Sequence, residues 1–148
     1  MKRRRRAREL ALKGLYAEEI SKNSLRTIVE KISSDSGSDK AIAGFASELV
    51  KKTLEYKDFI DKNISSVIEN WDIDRVALID RIILRMALCE LLYFHEIPPK
   101  VTINEAIDLA KKYSTAQSGR FVNGIIDSLY KRLKSEGRIV KRGAGLIE

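Results

Sequence analysis

The stretch 76–94 constrains this chain more than any other. Ile79, Ile82, Ile83, Leu84, Met86, Ala87, Leu88, Leu91 and Leu92 leave little room for a polar face. A helix apolar on most sides belongs at the centre of a fold. Pro98-Pro99 ends it, because proline restricts the residue before it and supplies no N–H. Periodicity alone leaves open whether the helix is continuous or broken near Asp80. Two prolines and eight glycines in 148 residues leave long stretches free of helix breakers. No segment alternates with period two over a strand's length. The fold class is therefore all-α, a compact bundle of about six to seven helices.

The flanking helices follow from apolar spacing. Ala7, Leu10, Ala11 and Leu15, with Gly14 beside them, predict a helix over about 4–20, and Leu25, Ile28, Val29 and Ile32 a shorter one. Residues 33–39 read as a loop in which Ser38 or Asp39 caps the next helix. Ile42, Phe45, Ala46, Leu49, Val50 and Thr53 open a period that runs through Tyr56, Ile60, Ile64, Val67 and Ile68. One long helix over about 40–69 is the simplest reading. Trp71-Asp72-Ile73-Asp74 interrupts the pattern, with Asp72 as a cap. Thr102-Ile103-Asn104-Glu105 has capping-box spacing and predicts a helix from there to about Tyr113. After a connection over 114–119, Phe121, Val122, Ile125, Ile126, Leu129 and Leu133 mark a last helix. Gly124, costly inside a helix, is expected to face the central apolar helix. Gly137 and Gly143-Ala144-Gly145 predict a frayed basic tail. The expected organisation is a single domain over 1–148, with helical subdomains of about 1–70 and 71–135 and a tail of 136–148.

Chemistry is scarce. Cys89 is the only cysteine, so no internal disulfide forms and a reducing cytosol fits. One cysteine and one histidine, Cys89 and His95, do not make a usual zinc site. Cys89 lies in an apolar run without nearby bases and reads as a buried, inert thiol. His95 reads as a surface or turn residue. No nucleophile elbow, phosphate loop or dinucleotide fingerprint is present. Asp72, Asp74 and Asp80 are read as caps and solvated acids rather than a metal cluster. The expectation is no enzyme, no cofactor and no membrane span.

Charge is distributed unevenly. The formal net charge is +7. Residues 1–8 hold six basic side chains and no acid, and residues 131–148 hold six against Glu136 and Glu148, so the body between is mildly acidic. A polyanion is drawn to the basic ends, while the body keeps acidic surface for another partner. Arg3-Arg4-Arg5-Arg6-Ala7-Arg8 leads into an amphipathic helix that carries Tyr16. Guanidinium forks hold phosphate and stack on bases, and a tyrosine ring adds a stacking surface. A solvated basic tail, a membrane anchor and a targeting run are the alternatives. The small apolar side of this helix suits packing better than insertion into lipid.

Several segments together resemble one family. They are Arg4-Arg5-Arg6-Ala7-Arg8-Glu9 with the helix ending Leu15-Tyr16; Trp71-Asp72-Ile73-Asp74-Arg75-Val76; Asp80-Arg81-Ile82-Ile83-Leu84-Arg85-Met86-Ala87; Glu90-Leu91-Leu92; Ile97-Pro98-Pro99; Ile103-Asn104-Glu105-Ala106-Ile107-Asp108-Leu109-Ala110-Lys111; and Phe121-Val122-Asn123-Gly124-Ile125-Ile126-Asp127. Their order and spacing resemble the NusB family from near the start to about residue 133, in its free-standing form rather than fused to a methyltransferase. The resemblance implies a cytoplasmic transcription antitermination factor with two helical subdomains. It implies binding to boxA, a short single-stranded element of nascent ribosomal RNA leaders, jointly with the ribosomal protein NusE. It further implies assembly with RNA polymerase and other Nus factors.

RNA contacts implied by the family fall on Arg4, Arg5, Arg8 and Tyr16, and on 117–121 with Gln117, Arg120 and Phe121. Some relatives carry acids before that phenylalanine, whereas Thr115-Ala116-Gln117-Ser118-Gly119-Arg120 is neutral to basic. Phe121 also suits core packing. Asp80, Arg85 and Glu90 are the expected partner-facing residues, with a cap as the alternative for Asp80. A homodimer in the absence of the partner is left open. The competing reading is a helical protein-interaction module without specific RNA binding.

Overall fold

In a computed structural model the described residues are 2–68 and 73–147, and all their regular structure is helical. Seven α-helices follow in order: α1 (Lys2–Ser21), α2 (Leu25–Asp35), α3 (Lys40–Glu55), α4 (Lys57–Val67), α5 (Leu78–Tyr93), α6 (Pro99–Tyr113) and α7 (Ala116–Ser135). Short 3₁₀ turns cover Ile73–Arg75 and Gly143–Leu146. Trp71 and Asp72, the latter expected to cap a helix, lie outside the described residues. The all-α expectation holds. The chain forms two compact units, Met1–Glu55 and Tyr56–Glu148.

In the first unit α1 packs on α2 and α3 through Ala7, Leu10, Ala11, Ile28, Ile32, Ala46, Leu49 and Val50, all buried. Ser24 caps α2, its hydroxyl accepting from the Thr27 N–H at 3.1 Å. Asp39 rather than Ser38 caps α3, with Oδ1 accepting from the N–H groups of Ala41 (3.0 Å) and Ile42 (3.2 Å). Each such cap satisfies donors that the first helical turn leaves open. Gly14 is where α1 and α2 approach closely, since a Cβ there would lie 2.6 Å from Ile28 Cγ2.

In the second unit α5 is the axis, with α4, α6 and α7 packed on it. Every residue from Ile82 to Leu92 is buried. Full burial of one leucine or isoleucine contributes about 1.5–3 kcal/mol, so this helix dominates the unit's stability. It is continuous from Leu78, which settles the question of a break near Asp80.

Four expectations are corrected. The single helix over 40–69 is two helices, because Tyr56 leaves helical geometry (φ −103°, ψ 16°) and stacks its ring on Tyr93 at 4.1 Å. The helix expected to start at Thr102 starts at Pro99, where a proline's fixed φ suits the first helical position. Thr102 is therefore internal, and its hydroxyl donates to Glu90 Oε1 at 3.0 Å. Gly124 faces no helix; a Cβ there would meet nothing within 4 Å. The tail is not frayed. His95 Nδ1 lies 2.6 Å from the Val140 carbonyl oxygen, and the Arg142 N–H donates to the His95 carbonyl at 3.0 Å. Lys141 Nζ donates to the carbonyls of Glu90 (3.1 Å) and Phe94 (2.9 Å), closing the carboxyl end of α5. Cys89 is fully buried, as expected of an inert thiol.

Candidate nucleic-acid interface

Two groups of candidate residues arise, one in each unit. In the first, the opening turns of α1 carry the arginines, with no acid in the first turn. Cations at a helix N-terminus oppose its positive dipole end, so this arrangement costs stability and favours an arriving anion. Arg3, Arg4 and Arg5 are exposed. Arg3 Nε pairs with Asp39 at 3.2 Å, and Arg4 Cζ lies 4.8 Å from the centre of the Phe45 ring. Arg8 is different: it is only 3% exposed and lies 5.4 Å over the same ring. The Phe45 face on α3 thus holds two guanidinium groups of α1. Tyr16 is exposed further along α1. It shares a helix face with Arg5, roughly 16 Å away along the axis.

In the second unit a cavity of about 380 Å³ is lined by Arg75, Val76, Asp80, Gln117, Ser118 and Phe121, among others. Residues 117–121 do not precede the last helix but form its first turns. Thr115 caps α7, its hydroxyl accepting from the Ser118 N–H at 3.0 Å. Phe121 is half-buried and lines the cavity; Arg120 is exposed and does not line it. Asp80 is 6% exposed. Its Oδ2 accepts from the Ser118 hydroxyl at 2.9 Å, while the buried Oδ1 has no hydrogen-bond partner among the described residues. The cavity therefore combines a ring, an amide and a guanidinium, with an unsatisfied carboxylate oxygen just beneath its surface. That set suits a planar group with N–H donors on its edge, such as an unstacked base.

Asp80, expected to face a protein partner, shares this one cavity with Gln117 and Phe121, expected to face RNA. Arg75 also lines the cavity, although no motif in the sequence marks it as a site residue. Its exposed position on the turn before α5 becomes visible only once α7 lies alongside.

Arg85 and Glu90, expected to face a partner, lie inside the second unit. Arg85 forms a two-pronged ion pair with Asp61, at 2.7 Å from Nε and 3.0 Å from Nη2. Glu90 is buried and accepts from Thr102. Burial lowers the pKa of Lys141 to about 8, with the Glu90 carboxylate partly opposing the shift. No group of three or more histidine, cysteine or acidic side chains among the described residues is arranged to hold a metal ion.

The NusB family model matches residues 5–131. The chain belongs to the NusB family. It is 44% identical to the transcription antitermination protein NusB of Salinibacter ruber, over 99% of this chain and 92% of that protein. Identity to the NusB of Chloroherpeton thalassium is 42%, over 98% of this chain and 69% of that one. Among solved structures, T. maritima NusB superposes with a TM-score of 0.81 at 40% identity, covering 86% of this chain and 90% of that chain. A NusB crystallised with NusE and double-stranded RNA also gives 0.81, at 26% identity, over 89% of this chain and 98% of that chain. NusB proteins are antitermination factors and not enzymes, in agreement with the sparse chemistry of the sequence. Among the described residues no helix is long and apolar enough to cross a membrane.

Proposed function

We propose that this chain is a cytoplasmic antitermination factor that binds boxA RNA jointly with NusE and joins the RNA polymerase antitermination complex with other Nus factors. The observation that carries this reading is the near full-length match to antitermination proteins, one of whose structural relatives was crystallised with NusE and RNA.

The residues supply a mechanism. Arg4 and Arg5 hold phosphates, while Arg8, stacked beneath on Phe45, positions the start of α1 more than it meets RNA. Tyr16 offers a plane for an unpaired base. In the second unit Phe121 supplies a second plane, Gln117 and Asp80 Oδ1 hydrogen-bond a base edge, and Arg120 and Arg75 hold the adjoining phosphates. Asp80 thereby passes from the NusE-facing group to the RNA-facing one. Arg85 and Glu90 act from within, by fixing α5 against α4 and α6.

Titrating boxA RNA into the protein with and without NusE tests the proposal. Coupling between two ligands is reciprocal, so each is expected to bind tighter when the other is present. Equal affinities would make RNA and NusE independent cargo. Absence of RNA binding under both conditions would leave the protein-interaction module as the function.

A further inference from the structure

A second concave surface lies in the second unit, formed by α6, α7 and the 138–147 segment, with a volume of about 810 Å³. Its apolar lining includes Ile103, Tyr130, Val140, Leu146 and Ile147. The last three are 54%, 67% and 65% exposed. Large aliphatic side chains on a loose tail would need no explanation, but this backbone is pinned. The Arg142 N–H bonds the His95 carbonyl, the Val140 carbonyl meets His95 Nδ1, and Lys141 Nζ bridges two carbonyls at the end of α5. Gly145 is buried, and a Cβ there would collide with the His95 carbonyl oxygen; one at Gly143 would collide with the Glu96 carboxylate. The segment is thus laid down in one register, with its aliphatic side chains turned outward into the groove.

Charge identifies what fits. Lys100 and Lys134 line the groove, and among the described residues neither pairs with a carboxylate. Lys134 Nζ rests over the Tyr130 ring at 5.6 Å. The one acid in the lining among the described residues, Asp127, pairs with Lys131 at 3.0 Å. Among the described residues the groove therefore presents an apolar floor and cations that no acid neutralises. Apolar floors of this kind bind protein side chains, and cations at the rim select their acidic neighbours. We propose that this groove docks a partner-protein segment combining bulky apolar side chains with carboxylates, separately from the RNA-facing cavity beside Asp80.

Selecting random peptides displayed on phage against the full chain tests this. The selected peptides are expected to be rich in glutamate or aspartate together with leucine, isoleucine or aromatic residues. The double variant Leu146→Ser/Ile147→Ser should weaken them by about ten-fold or more, as loss of central apolar contacts does. Lys100→Glu, a surface change on α6, should weaken them independently, and both variants should melt like the parent chain. Failure to enrich any peptide would overturn the proposal, as would enrichment of basic peptides or undiminished binding to both variants. Displacement of the peptides by a short single-stranded RNA would reassign the groove to nucleic acid and overturn it as well.

Discussion

Ser118, in the first turn of α7, donates its hydroxyl to Asp80 Oδ2 in the first turn of α5 across 2.9 Å. Two helix starts are thereby tied together at the floor of the cavity that Gln117 and Phe121 line. The same hydroxyl is met by Thr115 Oγ1 at 3.1 Å and by Ser114 Oγ at 2.9 Å, so the carboxylate is held through a small hydroxyl cluster.

Ser118→Ala removes the donor from a buried carboxylate. The expected cost is about 1–3 kcal/mol of stability, the usual penalty for stranding a buried polar group. Urea unfolding reads it, with the exposed Ser128→Ala as a control expected to change little. RNA affinity should fall too, since Asp80 would lose its fixed orientation. Unchanged unfolding would mean that solvent satisfies Asp80 in place of Ser118.

Arg4→Ala combined with Arg5→Ala should weaken RNA binding while leaving the melting temperature nearly unchanged. For single-stranded RNA the salt slope should fall by about 0.7 per phosphate contact removed. Arg8→Ala should behave differently, destabilising the first unit, because its guanidinium and stem pack on Phe45. An unaltered slope in the Arg4/Arg5 variant would assign those side chains to solvation.

Gly14→Ala and Gly124→Ala gain the same helix propensity, about 0.8–1 kcal/mol, so their difference isolates packing. Gly124→Ala should raise the melting temperature, because nothing lies within reach of the new methyl. Gly14→Ala should lower it, because Ile28 is stiff at χ1 and the methyl would press on it, an overpacking cost of typically 1–3 kcal/mol. Two thermal melts decide the matter.

Lys141 makes stability depend on alkaline pH. Its pKa is about 8 in the folded chain and 10.5 when unfolded. Between these values the unfolded chain binds the proton that the folded chain has released, so stability rises with pH across that window. Below about pH 8 both states are charged and the burial penalty stands in full. Unfolding measured from pH 7 to pH 10 should show this rise in the parent chain, and a smaller one in Lys141→Met.

Much of the helical order was legible from apolar spacing, because α1, α2, α5 and α7 each bury one continuous set of periodic residues. Tyr56 was not, since no glycine or proline marks the break and only the ring of Tyr93, 37 residues on, explains it. Thr102 misled because a capping-box pattern is local, whereas its hydroxyl is claimed by Glu90 on another helix. Gly124 misled because propensity reports a cost without reporting what stands opposite. In the candidate site, the arginines and Phe121 were visible as residue types. The cavity was not, for it arises where Asp80 and Ser118, 38 residues apart, meet across two helix starts.

The Phe45 ring has a consequence for the thermodynamics of RNA capture. An arginine side chain carries about 2 kcal/mol of rotamer entropy, which is lost on binding if the side chain was mobile beforehand. Resting over Phe45, Arg4 loses part of its own when the chain folds. Phe45→Leu should therefore make the binding entropy less favourable while leaving every arginine in place. In a genetic screen such a change would score as an RNA-binding defect, although the altered side chain belongs to α3 and need never touch a nucleotide.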